Sequence, residues 1–474
     1  MIKIKLLLLK ITLLSILFIG CNSRNKKPNV IFILVDDLGW NDLGYTGSTF
    51  YESPNIDKFS NESFEFLSAY SASPVCSPTR ASIMTGKHPA RVNITDWIPG
   101  LDPKDKPLLG AKDLHELPLN EITIAEKLKE SGYKTFYSGK WHLGSEGFYP
   151  EENGFDINIG GFEKGSPMGG YYSPYKNPKL SDGPEGEYLT DRLTNESILF
   201  IENHKKNQPF ALFLSFYSVH TPIQPNKKHI NYFKNKLESI EDNTLRVRKE
   251  GEAVSTLNQV NADYASMVYS LDENIGRLIN SLKKNNLYDN ALIIFTSDNG
   301  GLSTLKKNAP TSVFPLRAGK GWLYEGGIRI PQLIKVPGGN ENIKINEPTV
   351  SYDLFPTILD FIGIENNLKI DGISLMPILN GKDDISREEI FWHFPHYHGS
   401  LWKPGAAIRI GDWKLLEHFE SNSLELFNLS EDISEMNDLS LIYPNKTQYL
   451  LNRLHILQKE TGANMVSVNE NFNK

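Results

Sequence analysis

Three unbroken apolar runs stand out along the chain: NVIFILV at Asn29–Val35, ALFLSFYSV at 211–219 and ALIIFTS at Ala291–Ser297. They are rich in β-branched and aliphatic residues and show no alternation with polar ones, which predicts strands buried on both faces. Helical periodicity lies between them. The stretch 121–131 (EITIAEKLKES) is followed by Gly132, a residue suited to closing a helix, and 263–280 (DYASMVYSLDENIGRLIN) repeats its apolar positions at helical spacing. Strands alternating with helices predict an α/β fold with a large, mostly parallel sheet sandwiched by helices. Beyond about residue 365 the texture changes. Short strand-like pieces at 390–394, 407–410, 413–417 and 426–429, with a turn at Gly411-Asp412, precede a helical stretch at 449–460. This predicts a smaller C-terminal subdomain of antiparallel sheet plus helix, 366–474, after a main α/β domain spanning 28–365.

The first residues read differently. A basic start leads into an apolar run, 6–20, interrupted by Lys10 and ending in Gly20 before Cys21. The run has the form of a secretory signal and is too short to span a bilayer comfortably. A small residue just before a cysteine resembles a bacterial lipoprotein cleavage site. We therefore expect a signal peptide at 1–20, lipidation of Cys21 with membrane attachment, and a tether at 21–27; a plain signal peptide is the alternative. The basic stretch NSRNKK after Cys21 leans towards a periplasm-facing lipoprotein, with the cell surface as the other location.

With 474 residues, 39% hydrophobic and 23% charged, the chain can bury a sizeable core. The net charge of -7 and the lack of a basic block exclude nucleic acid as a partner. There are two cysteines. If Cys21 is lipidated no disulfide can form, and Cys76 is left as either a small buried hydrophobe or a reactive thiol.

Candidate chemistry gathers at the predicted strand ends. Asp36 and Asp37 follow the first strand, with Gly39 able to turn the chain; Asp298 and Asn299 follow the third, backed by Gly300-Gly301. Ligands of open α/β sheets bind beyond the carboxyl ends of the strands. Either pair alone could be turn and cap residues. Together they offer four short oxygen ligands, a set suited to calcium or magnesium. Cys76 lies in SPVCSPTRASIMTG, where Pro78 fits an early helical position and places the thiol at a helix N-terminus. That end attracts anions and activates a thiol, and Arg80 lies one turn on, on the same face.

The stretch 76–80 (CSPTR) matches the C-x-P-x-R signature of type I sulfatases, and the chain is identified as resembling that family, within the alkaline-phosphatase-like superfamily. Further family segments follow in order: GKWHLG at 139–144, SVHTP at 218–222, TSDNG at 296–300 and GKGWLYEGGIRIP at 319–331. The resemblance implies that a separate formylglycine-generating enzyme oxidises Cys76 to formylglycine (3-oxoalanine). One hydroxyl of its hydrate attacks sulfur, and the second later allows sulfate to be expelled; a serine would be left as a stable ester. It implies calcium, one ion per site, held by Asp36, Asp37, Asp298, Asn299 and the modified Cys76, polarising the sulfate and orienting the diol. Arg80 and Lys140 are expected to stabilise the hydrate and the developing charge. Lys140 and His142 share a face if that piece is extended. His142 is expected to act as the base that breaks the hemiacetal. His220 and Lys320 are expected to flank the ester, with His220 the acid for the leaving alcohol.

The resemblance extends to bacterial carbohydrate sulfatases through FWHFPHYHG at 391–399 and AIRIGDWKL at 407–415. His393, His396, His398 and Arg409 are thus candidate sugar contacts, or local hydrogen-bonding residues; a second metal on the three histidines is disfavoured because the ligands are assigned elsewhere. Asp96, Trp97 and His115, in the insert after the Cys76 helix, are weaker candidates for the sugar pocket. The expected activity is hydrolysis of sulfate esters on a sulfated oligosaccharide, exo-acting, from algal or host polysaccharide. The competing readings are a phosphatase or phosphonate hydrolase of the same superfamily and a non-catalytic sulfoglycan-binding lipoprotein.

Overall fold

The strand Asn29–Val35 is buried at every residue and runs parallel to Ala291–Ser297 on one side and to Phe210–Ser215 on the other. In this computed structural model, which describes residues 27–101, 103–205, 207–338, 342–382 and 385–472, it is the centre of an eight-stranded sheet. The strand order is Ile343–Ile345, Phe64–Phe66, Gln332–Lys335, Ala291–Ser297, Asn29–Val35, Phe210–Ser215, Lys134–Gly139, Ile157–Ile159. Gln332–Lys335 is antiparallel to both its neighbours, and the other pairs are parallel. The pleat divides the central strand between two cores: Ile31, Ile33 and Val35 face one, and Val30, Phe32 and Leu34 face the other. The expected signal segment, Cys21 and most of the tether lie outside the described residues.

Register brings the strand ends together. Val35 lies opposite Ser297, and Leu34 opposite Ser215, so Asp36, Asp298 and Phe216 leave the sheet side by side. The apolar run 211–219 is longer than its strand. Phe216, Tyr217 and Val219 stay apolar because they are buried, while the backbone leaves the ladder and bonds to Asp36 on both sides, with Asp36 N–H donating to Ser218 O at 3.0 Å and Val219 N–H to Asp36 O at 2.7 Å. The helix expected at 121–131 starts later, at Ile124, because Thr123 and Glu126 form a reciprocal cap. The helix expected at 263–280 extends over Ala262–Lys284, with Asn261 accepting from the backbone of Asp263 and Tyr264.

The C-terminal strands Glu389–Phe394, Gly405–Ile410, Trp413–His418 and Ser423–Asn428 form an antiparallel meander. The helix Pro444–Thr461 seals one face through Leu450 and Leu454. The residues just after 365 still serve the main sheet: Leu375, Ile378, Leu379 and Ile385 lie in its core. The small sheet is joined to the main domain by a buried charge cluster. Lys414 Nζ is 2.9 Å from Glu325 and 2.8 Å from Glu435; Glu325 also accepts from the Tyr70 hydroxyl at 2.7 Å, and Glu435 from the Glu325 backbone N–H at 2.6 Å. Burial pushes Glu435 up to about 7. Burial also works to raise Glu325, but Lys414, Arg329 and Arg409 overturn it and hold that carboxyl to about 2.

Lys414→Ala leaves two buried carboxylates without their shared cation, and is expected to destabilise the fold by about 3–5 kcal/mol in denaturant titrations. A loss under about 1 kcal/mol, the scale of an exposed pair, would contradict this role.

Candidate active site

The helix Cys76–Thr85 begins at the cysteine, with every residue buried, and ends at Gly86 in a left-handed turn. Cys76 Sγ is 3.3 Å from His142 Nδ1. His142 Nε2 is 2.5 Å from the Ile98 carbonyl, which can only accept, so Nε2 carries the proton and Nδ1 turns its lone pair to residue 76. Burial, then the charge of Lys140, holds His142 well below the usual histidine range. The ring is clamped, since a Cβ on Gly165 would fall 2.3 Å from its Cε1.

Arg80 projects from the same helix into the strand ends. Its Nε and Nη2 each lie 2.8 Å from Asp298 Oδ2, and Nη1 donates to the Lys140 carbonyl at 2.7 Å and to Ser215 Oγ at 2.6 Å. Lys140 Nζ is 2.7 Å from Asp36 Oδ2, and Lys320 Nζ is 2.7 Å from Asp37 Oδ1. His220 Nε2 lies 3.8 Å from Asp37 Oδ2, while its Nδ1 is 2.7 Å from the Thr221 carbonyl. Three buried carboxylates are thus each matched to a buried cation. Burial raises Asp36 well above the ordinary carboxyl range, with Lys140 opposing. For Asp37 burial also works upward, but Lys320, His220 and Lys140 outweigh it and hold the carboxyl below its usual value.

Adjacent strand residues point to opposite faces, yet Asp36 and Asp37 reach one site. The turn occurs at Asp37 itself, at φ 61°, and Gly39 is instead needed for close approach, since a Cβ there would meet Val313 Cγ1 at 2.7 Å. His142 likewise has φ 60°, so Lys140 and His142 converge through a left-handed residue, not through the extended alternation expected. Asn299 Nδ2 donates to Asp37 Oδ1 at 2.8 Å, and Asp37 N–H to Asp298 Oδ1 at 3.2 Å. Two oxygens of this group, Asp36 Oδ1 and Asn299 Oδ1, are buried with no hydrogen-bond partner. Such orphans are costly unless something else meets them. An all-oxygen donor set with two unfilled acceptors fits a hard divalent cation. Asp36, Asp37 and His220 also place ligand atoms within 4.8 Å of one another.

The site opens into a cleft of about 670 Å³ lined by Cys76, His142, His220 and Lys320 at its floor. Trp97, His115 and His398 line its walls. His393, His396 and Arg409 are not among the residues lining it; of their two expected roles, sugar contact or local hydrogen bonding, the structure places them in the second. His393 bonds Asn464 O and Gln458, His396 bonds Thr95 Oγ1, and Arg409 bonds Tyr70 and Gly411 O, all as buried struts. Asp96 is also structural, accepting from the backbone of Trp97 and Leu101. Sequence reasoning missed Ser215, which holds Arg80, and the cleft residues Glu116, Glu163 and Lys164. A polar residue closing an apolar strand was a signal for Ser215; nothing local marks Glu116.

A parallel sheet with a charge-matched oxygen site beyond its strand ends, and a cysteine at a helix N-terminus above it, defines a hydrolase of the alkaline-phosphatase-like class. The chain belongs to the sulfatase family: a family model described as Sulfatase matches residues 28–364, and one described as N-sulphoglucosamine sulphohydrolase, C-terminal matches 318–460. It is accordingly a sulfuric ester hydrolase. It is similar to a protein named Sulfatase from Formosa agariphila, 29% identical over 89% of this chain and 86% of that one. It is similar to the N-acetylglucosamine-6-O-sulfatase of Bacteroides thetaiotaomicron, 27% identical over 93% of this chain and 88% of that one. Among solved structures it resembles Ps i-CgsB, with TM-score 0.75 and 30% identity over 93% of this chain and 94% of that one; a second structure of that protein holds k-i-k-neocarrahexaose.

The orphan oxygens predict that calcium or magnesium at about 1 mM raises the melting temperature, with about 2.7 kcal/mol gained at a hundredfold excess over Kd. Asn299→Ala is expected to shrink the shift. No shift with either ion would contradict a cation site here.

Proposed function

We propose that this chain releases sulfate from a sulfated carbohydrate, acting on oligosaccharide ends, with Cys76 converted to formylglycine and calcium held by Asp36, Asp37, Asp298, Asn299 and the modified residue. The observation that carries the reading is the position of Cys76: its Sγ lies 3.3 Å from a neutral histidine nitrogen, at the floor of the cleft, beside the charge-matched oxygen site. The carbohydrate part is supported by the named activity of the Bacteroides thetaiotaomicron relative and by the neocarrahexaose bound to the similar solved protein. A cleft of about 670 Å³ is the size of a small-molecule pocket, which suits a chain end better than a long polymer. The signal-like start and Cys21 support an exported, membrane-anchored lipoprotein, the basic stretch after Cys21 a periplasm-facing one, and the C-x-P-x-R match at 76–80 maturation by a formylglycine-generating enzyme.

When present, the modified residue supplies a hydrated aldehyde as nucleophile and the cation supplies positive charge against the ester oxygens. The chain's own groups do the rest. His142 Nδ1 accepts a proton at residue 76, because Nε2 is committed to Ile98. Arg80 and Lys140 offer fixed positive charge where negative charge develops, held in place by Asp298, Asp36 and Ser215. Lys320 and His220 lie across Asp37; the Thr221 carbonyl takes the Nδ1 proton of His220, so Nε2 turns its lone pair to Asp37 and must itself take up a proton before it can pass one to the leaving alcohol.

The test is sulfate release from saccharides sulfated at defined positions, by protein co-produced with a formylglycine-generating enzyme. Cys76→Ala is expected to lose turnover by about 10³-fold or more, and His142→Ala by about 10²-fold or more. Turnover unchanged in Cys76→Ala would overturn the assignment, and so would its absence across the panel once formylglycine is verified by mass spectrometry.

A further inference from the structure

We infer that the outer cleft selects a sugar ring bearing one sulfate and no second anionic group, and that Glu116 makes this selection. The inference deepens the carbohydrate-sulfatase reading and rests on it.

The cations of the site are at its floor. Arg80, Lys140 and Lys320 are each committed to an aspartate, at 2.8, 2.7 and 2.7 Å. Above them the charged residues of the lining are Glu116, Glu163 and Lys164, with His115 at the rim. Lys164 Nζ lies 3.9 Å from Glu163 Oε1, and Glu163 Oε2 accepts from the Tyr149 hydroxyl at 2.8 Å. Glu116 forms no ion pair among the described residues. The rest of the wall is neutral: Trp97, Leu302 and Leu305 are apolar, and Ser145, Ser166 and Ser400 offer hydroxyls.

Glu116 is fixed beside the reacting residues. The backbone N–H of Leu117 donates to the Leu143 carbonyl at 2.9 Å, next to His142. Gly144 at φ 134° lets the two segments touch, for a Cβ there would fall 2.9 Å from Glu116 Cβ. Glu116 therefore stands on a braced backbone at the wall of the cleft.

Donor and acceptor chemistry then decides what it accepts. A carboxylate only accepts hydrogen bonds. Free hydroxyls of a sugar ring donate, and bonds to an ionised acceptor are the strong ones. A second sulfate, or the carboxylate of a uronic acid, also only accepts, and it would meet two carboxylates, Glu116 and Glu163, against the single outer lysine, Lys164, which already stands beside Glu163, in a partly enclosed cleft where charge repulsion is strong. Trp97 adds a flat apolar face for the sugar ring. An enzyme built for densely sulfated chains would instead need unpaired lysine or arginine along this wall.

The test uses the 4-sulfates and 6-sulfates of galactose, N-acetylgalactosamine and N-acetylglucosamine, each paired with its 4,6-disulfate, on matured wild type, Glu116→Gln and Glu116→Lys. Wild type is expected to favour the singly sulfated member at least tenfold in kcat/KM. Glu116→Gln, which adds a donor in the same shape, is expected to shrink that ratio at least threefold, and Glu116→Lys to shrink it further, with melting temperatures unchanged. Equal or faster turnover of the disulfates by wild type, or a ratio that stays put in both variants, would overturn the inference alone. Sulfate release from no member of the set, with formylglycine verified, would overturn the sulfatase reading and this inference with it.

Discussion

The guanidinium of Arg80 is buried where the three central strands end, and it is tolerable there only because Asp298 meets Nε and Nη2 while a strand-end carbonyl and Ser215 take Nη1. Taking an ion out of water costs several kcal/mol, and only close pairing with further hydrogen bonds offsets that. The same constraint repeats at Lys140 with Asp36 and at Lys320 with Asp37. Each cation comes from a different segment, so the pairings lock the Cys76 helix, the 139–144 turn and the 319–327 segment to one another. The positions of the reacting groups follow from this neutralisation more than from any single element.

The C-terminal sheet takes part in the same arrangement. Lys414 grips Glu325, five residues beyond Lys320, and the Trp322 indole donates to the Ser400 carbonyl at 3.1 Å. Gly321 N–H donates to Pro74 O at 2.8 Å, tying the segment back to the approach of the Cys76 helix. The small sheet thus braces the lysine segment from behind, while its connecting loop presents His398 and Ser400 to the cleft. His398 Nδ1 accepts from the Ser400 backbone N–H at 3.2 Å, which leaves Nε2–H as the donor of that ring.

Much of this was legible in the chain because it depends on local pattern. Unbroken apolar runs mark buried parallel strands, and carboxylates at their ends mark the site, so Asp36, Asp37, Asp298 and Asn299 were found without the fold. Cys76 and Arg80 were legible from one helical turn. Burial defeated the pattern elsewhere. The run 211–219 continued past its strand because the following turn is also in the core. His393, His396 and Arg409 were candidate sugar contacts because the resemblance to bacterial carbohydrate sulfatases runs through their segments, and only the fold shows that they bond loops and helix from within the core. Glu116 was invisible because its meaning arises only when Leu117 bonds Leu143 across the chain.

The fold and its oxygen site serve more than one kind of ester, so the central claim is that this site takes sulfate. The most direct measurement compares inorganic sulfate and inorganic phosphate released from matched sugar 6-sulfate and 6-phosphate esters by the matured protein. The account predicts sulfate release exceeding phosphate release by about 10³-fold or more in kcat/KM, a difference of about 4 kcal/mol between the two transition states. Release of phosphate without sulfate would contradict it.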